Sequence, residues 1–276
     1  MHWLVQTWRA APLYALLGAL VALTFAPICV MRLISLKDNA QFYDSFLTPS
    51  LPLHWENFAA AAAVLAPYML NSLIVTGASV LGVVVLSCFA AYSFARFRFP
   101  GRELLYFMVL AVMMIPSILT IVPQFLLVER LGILDTRWAL ILPHIAGGQV
   151  LAIFIMRTFF AGLPQELFDA ARIDGAGELA TFWRVALPLT KPVLGVVAIM
   201  QVLYVWNDYI WPFVVTGQDT SLSTLVVGLV QFQGQHLTEW GPLMAAYTIA
   251  ATPLLVLFAF TARLFVAGLT AGALKL

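Results

Sequence analysis

Ionisable side chains are rare in this sequence, so the places where they gather carry information. Residues 169–176 read DAARIDGA, with Asp169, Arg172 and Asp174 inside six positions and Ala170, Ala171, Gly175 and Ala176 around them. Small residues let another surface approach the backbone closely. They equally suit packing on the chain's own helix ends, and composition does not separate the two. Catalytic constellations are missing elsewhere. His144 and His236 have no ligand spacing around them, and neither H-x-x-x-H, C-x-x-C nor a G-x-S-x-G nucleophile turn occurs. His144, just after Pro143, reads as a hydrogen-bonded helix-end residue. Cys29 and Cys88 lie far apart in apolar runs and read as small buried hydrophobes rather than a disulfide or metal pair. The lysines are Lys37, Lys191 and Lys275, and none follows a glycine-rich loop of the form G-x-x-x-x-G-K-[ST]. The chain therefore cannot hydrolyse ATP by that chemistry, and uphill transport would draw its energy from another subunit.

One strong acid, Asp208 in VWNDYIWP, lies well inside an apolar run. A charge at the bilayer centre costs about 2.5–3.5 kcal/mol or more, so its depth matters. Counting from Lys191 at about 1.5 Å per residue puts Asp208 roughly 25 Å away, near the outer boundary. Flanked by Trp206, Tyr209 and Trp211, it reads as an interfacial polar group in an aromatic belt. A proton-coupled carrier needs ionisable groups within the membrane, and an intramembrane aspartyl enzyme needs two acids. Both classes are disfavoured.

The elements that position these residues are membrane spans. Of 276 residues, 62% are hydrophobic and 10% charged, against about 25% charged in soluble domains. The formal net charge of +1 gives no electrostatic case for nucleic acid. A bilayer core needs roughly 20 apolar residues per helix. Six segments qualify, at about 11–34, 68–95, 104–128, 138–159, 190–214 and 243–265. The first is too long for a signal core and lacks a small-x-small cleavage site, so it reads as a retained span. Pro67 divides the second apolar run, and NFAAAAAVLA before it reads as a short interfacial helix. The expected fold is an all-α polytopic membrane protein, a single transmembrane domain over 1–276.

Lys and Arg set the orientation. With the N-terminus inside, the cytoplasmic side holds ten (Arg9, Arg96, Arg98, Arg102, Arg157, Arg172, Arg184, Lys191, Arg263, Lys275) and the outer side four (Arg32, Lys37, Arg130, Arg137). Both termini are then cytoplasmic, and DAARIDGA falls in the cytoplasmic loop 162–189. Prolines 27, 116, 123, 143 and 253 sit within spans. Each frees a backbone carbonyl that a neighbour must satisfy.

That loop reads GLPQELFDAARIDGAGELATFWRVALPLTKP over 162–192. Pro164 suits a first helical turn, and Gln165 and Glu166 place an acid where the helix dipole favours it. Asp169 and Arg172 are spaced to pair. Gly175 ends or bends the helix. GELATFWRVAL then forms a second, amphipathic helix with Leu179, Phe182, Val185 and Ala186 near one face, which Pro188 stops.

The stretch resembles the cytoplasmic EAA motif of ABC importer permeases, E-A-A-x-x-x-G-x(9)-I-x-L-P. Asp169 stands at the Glu position before Ala170 and Ala171, Gly175 at the Gly position, Val185 at the Ile position, and Leu187–Pro188 close it. Spacing is kept throughout, and each of the two departures removes one methylene. WNDYIWP (206–212) and the tail GLTAGALKL (268–276) are similar to the carbohydrate-uptake branch, the maltose and glycerol-3-phosphate permease type. The resemblance implies six spans and a coupling helix over 165–184 that docks on an ATPase subunit, with Asp169, Asp174 and Gly175 at the contact. It implies ATP and Mg use by two ATP-binding subunits, a second permease as heterodimer partner and an extracytoplasmic solute-binding protein, in the bacterial inner membrane. Tail residues Gly268, Leu269, Thr270 and Gly272 would reach the ATPases. Asn71, Gln201, Tyr204 and Asn207 are polar groups in or near spans, suited either to a substrate path or to helix–helix contacts. A sugar is the solute implied; an amino acid or polyol phosphate is the alternative, and a secondary carrier is the reading from another class.

Overall fold

The computed structural model describes the backbone of residues 2–217, 221–236 and 238–273, and the side chains of 12–217, 221–236 and 238–261. Among the described residues the regular structure is helical. The helices are α1 (His2–Ile34), α2 (Asn39–Asp44), α3 (Glu56–Arg96), α4 (Arg102–Ala111), α5 (Ser117–Arg130), α6 (Trp138–Ala161), α7 (Gln165–Ile173), α8 (Glu178–Thr181), α9 (Leu187–Leu189), α10 (Lys191–Trp206), α11 (Ile210–Thr216), α12 (Leu225–Gln235) and α13 (Trp240–Ala273). Four of them are long and apolar enough to cross a membrane: the Pro12–Ile34 part of α1, α3, α6 and the Trp240–Thr261 part of α13.

Two expected spans are broken, and proline explains both. The third bends by 104° between Arg102–Met114 and Ser117–Arg130. Pro116 has no N–H and disfavours helical backbone at the residue before it, and Ile115 is extended at φ −85°, ψ 116°. The expected fifth span, 190–214, ends as a helix at Trp206 and restarts at Ile210. The Pro212 ring disfavours helix at Asp208, whose carbonyl lies four residues back, and the helix breaks there, whereas Pro67 and Pro143 are kept inside α3 and α6. The reading of 57–66 as a separate interfacial helix is corrected: α3 runs 41 residues with Pro67 inside it.

The chain forms two compact units, Met1–Ala66 with Gly228–Pro253, and Pro67–Val227 with Leu254–Leu276. In the first, Lys37 is buried (1% exposed) and its ammonium donates to the carbonyls of Ser45 and Thr48. A lysine expected as an outer-surface charge is thus spent holding a loop. Asn57 donates to the carbonyls of Ser35 and Lys37, both at 3.0 Å. Cys29 is exposed on α1, against the expectation of burial, because no residue of that helix's apolar window is buried within the chain. Cys88, in the other unit, is buried as expected.

In the larger unit one apolar core gathers Val83, Tyr92, Met156, Phe160, Phe168, Phe182 and Val197. A second gathers Val75, Leu140, Ile141, Val205, Trp211 and Val215. Pro143 illustrates how a span keeps its backbone satisfied. Its missing N–H leaves the Ala139 carbonyl without its helical donor, and the Trp211 indole N–H donates to that oxygen at 3.0 Å. Nearby, the Ser72 hydroxyl accepts the backbone N–H of Leu225 at 2.7 Å, which caps the start of α12.

Candidate functional site

The loop between α6 and α10 is built by local rules. Pro164 stands one position outside the expected first turn, as the residue capping α7, with Glu166 in that turn. The end of α7 is a Schellman motif: the Ala176 N–H donates to the Ala171 carbonyl (2.9 Å) and the Gly175 N–H to that of Arg172 (3.0 Å). This closure requires left-handed backbone, and Gly175 has φ +79°. A Cβ there would meet nothing within 4 Å, so conformation rather than space demands glycine.

Beyond Gly177 the chain winds through α8 into a π-helical turn, Phe182–Ala186. The wider winding redistributes the expected apolar face. Phe182 and Ala186 are buried and Val185 half-buried, while Leu179 is 66% exposed. Leu187 is half-buried and Pro188 exposed. The chain then turns by 73° at Thr190 into α10.

Two aromatic residues anchor the loop. Phe168 from α7 and Phe182 from the π turn both enter the first core, where Phe182 lies 4.9 Å from Phe89 and 5.0 Å from Tyr92 between ring centroids. Arg96, the last residue of α3, fastens the same corner. Its guanidinium donates to the carbonyls of Phe160 (2.7 Å) and Leu163 (2.8 Å) and to the Gln165 side chain (3.0 Å), and lies 3.7 Å over the Phe168 ring. Gln165 in turn donates to Asp169 at 3.0 Å. Asp169 and Arg172 pair as the spacing predicts, at 3.6 Å, and Arg172 also reaches Glu178 at 3.2 Å. The charged outer surface is therefore tied, through Gln165 and Arg96, to the end of a membrane helix.

The opposite surface stays open. Asp169, Ala170, Asp174 and Gly175 are exposed, and Ala171 is buried. Ile173 is 87% and Trp183 52% exposed. Sequence reasoning missed Arg96 and Phe168 as anchors: one entered only as a positive charge on the inner side, the other only as a helical residue. Arg96 meets its hydrogen-bond partners 64, 67 and 69 residues away and the Phe168 ring further still, beyond any local pattern.

The four groups considered for a substrate path separate. Asn71 is buried; its oxygen accepts from Arg137 (3.0 and 3.1 Å) and its amide donates to the carbonyls of Ser221 (2.7 Å) and Ser223 (3.2 Å). Gln201 is buried and donates to the His144 carbonyl at 3.2 Å. Tyr204 is half-exposed and lines a cavity. Asn207 is exposed and donates to the Leu203 carbonyl at 2.8 Å. The backbone of Gly268, Leu269, Thr270 and Gly272 belongs to α13, but their side chains lie outside the described residues.

The chain is similar in sequence and fold to known transport proteins. The family model of the binding-protein-dependent transport system inner membrane component matches residues 83–271. The diacetylchitobiose uptake system permease protein NgcG of Streptomyces coelicolor is 33% identical over 272 residues, 96% of this chain and 89% of that one. The sn-glycerol-3-phosphate transport system permease protein UgpE of Yersinia pestis is 33% identical over 261 residues, 90% of this chain and 92% of that one. A chain in the crystal structure of a bacterial ABC transporter involved in the import of the acidic polysaccharide alginate shares the fold, with a TM-score of 0.78 at 22% identity over 94% of this chain and 97% of that one. An apolar helical bundle carrying this loop, with that match across more than half its length, belongs to the inner-membrane components of binding-protein-dependent transport systems, the permeases of ABC importers.

Proposed function

We propose that this permease carries a sugar across the bacterial inner membrane by alternating access, driven by two ATP-binding subunits that dock on residues 162–189. The observation that carries the coupling role is the two-sidedness of the loop. Phe168 and Phe182 are embedded in the core shared with α3, α6 and α10, while Ile173, Leu179 and Trp183 present apolar surface outward beside Asp169 and Asp174. A solvated loop does not gain by exposing such residues, whereas a groove on a partner would bury them. Force applied to the outer side passes through packed rings and the Arg96 clamp to the spans, a rigid-body coupling of the kind that switches transporters.

In this reading both termini are cytoplasmic, and the partner subunits bind and hydrolyse ATP with Mg. A second permease completes the pathway, and a solute-binding protein delivers substrate from outside. The name of the diacetylchitobiose relative and the alginate importer support a carbohydrate solute. The glycerol-3-phosphate relative supports a polyol phosphate as the second reading.

The test is co-expression with candidate ATPase subunits, purification, and reconstitution for solute-stimulated ATP hydrolysis. Gly175→Leu and Asp169→Lys are expected to abolish uptake and to lower ATPase co-purification about tenfold or more, with membrane insertion intact. Unchanged uptake in both variants would remove 162–189 as the coupling element.

A further inference from the structure

The larger unit contains a cavity of about 810 Å³, lined by parts of α5, α6, the end of α10 and the start of α11. That volume is in the range of small-molecule sites. Most of its wall is aliphatic. Its polar equipment includes Gln124, His144, Tyr204 and Asp208, and among the described residues no Lys or Arg lines it.

His144 and Asp208 form a pair that sequence spacing does not reveal. The His144 side chain is 2% exposed and that of Asp208 20%, with Nε2 3.0 Å from Oδ2. His144 Nδ1 lies 2.6 Å from the Leu140 carbonyl. A carbonyl only accepts, so Nδ1 carries a proton. Nε2 and the Asp208 carboxyl then hold one hydrogen bond between them. The imidazole is thus used up: it fixes the carboxyl and has no nitrogen free for a ligand. The other oxygen, Oδ1, has only a long contact of 3.4 Å from the Trp211 N–H, which leaves it acceptor capacity toward the cavity. Tyr204 stands edge-on to His144, with ring centroids 5.9 Å apart at 75°, and remains 52% exposed. Its place is fixed while its ring surface is available.

We infer that this cavity is the chain's own solute-binding site and that it selects uncharged, polyhydroxylated solutes. The Asp208 carboxyl accepts hydrogen bonds from solute hydroxyls, and the Tyr204 ring packs on an apolar C–H face. An anionic solute would lose water there beside the Asp208 carboxyl, and no Lys or Arg among the described lining residues replaces that water. The inference rests on the sugar-importer reading and narrows it: the site suits a neutral sugar and opposes a phosphate or a uronate.

The experiment uses the whole importer in proteoliposomes, with diacetylchitobiose as the neutral probe and glycerol-3-phosphate as the anionic one. The quantity read is solute moved per ATP hydrolysed, because a misfolded complex loses both activities together. In wild type the neutral probe is expected to move and the anion not. Asp208→Ala and Tyr204→Leu should each raise the KM for the sugar about ten- to hundredfold and lower the ratio. Thr24→Ala, at an exposed residue of α1 that does not line the cavity, should behave as wild type. An unchanged KM and ratio in both cavity variants overturns the inference while leaving the importer reading standing. Wild-type uptake of glycerol-3-phosphate in place of the sugar overturns the charge selection. A wild-type complex that hydrolyses ATP and moves neither probe removes the sugar reading and this inference with it.

Discussion

Gly175 and Gly148 lie in the same unit and are glycine for opposite reasons. At Gly175 a side chain would find open space, but the backbone is left-handed. At Gly148 the backbone is ordinary helix, but a Cβ would come within 2.8 Å of the Gln201 amide carbon and nitrogen. One glycine shapes a turn that presents itself outward. The other lets α6 and α10 approach closely enough for Gln201 to reach the His144 carbonyl. The comparison separates two kinds of demand on a permease: a loop that must be stiff in shape yet free in surface, and a helix crossing that must be filled without excess.

The largest stability effect is expected at the crossing. Gly148→Leu forces a branched side chain where a single carbon already crowds Gln201, and should cost about 3 kcal/mol, read as a fall in the thermal unfolding midpoint of the detergent-solubilised protein. A midpoint within error of wild type would mean that the crossing has slack. Trp211→Phe keeps an aromatic ring but removes the N–H that serves the Ala139 carbonyl. We expect a loss of about 1–2 kcal/mol by the same measurement. Replacing Pro143 by Ala in that background should recover part of it, since the restored N–H at 143 again serves Ala139. The smallest effect on stability belongs to the loop. Gly175→Ala should cost about 1 kcal/mol of backbone strain, yet should reduce uptake more than any stability change explains. If Gly175→Ala lowered uptake only in proportion to folded protein, the loop's shape would carry no coupling role.

How much of this was readable depends on the range of the interaction. The turn at Gly175, the Asp169–Arg172 pair and the start of α7 follow from neighbours within a few positions, and spacing alone indicated them. The second loop helix was half readable. Its apolar pattern was real, but a π turn shifted the register and moved Leu179 to the outside. The spans were readable as apolar lengths; their interruptions at 115–116 and 207–209 were not drawn, although Pro116 and Pro212 stood in the sequence. Asp208 was read as a lone interfacial acid because its partner is 64 residues away. No local pattern distinguishes an acid that faces lipid headgroups from one held by a buried imidazole.

The sequence by itself determined that the chain is rich in membrane-spanning apolar lengths and that it carries a loop with the spacing of the EAA motif and no G-x-x-x-x-G-K-[ST] sequence. These depend on composition and short-range geometry, which do not change when the chain folds. Only the tertiary structure decided that Arg96 bolts the loop to α3, that Lys37 is buried among carbonyls, and that His144 and Asp208 meet on the wall of a cavity. Those outcomes depend on which distant backbone or side-chain groups are left without partners in a low-dielectric interior, and that is settled by packing alone.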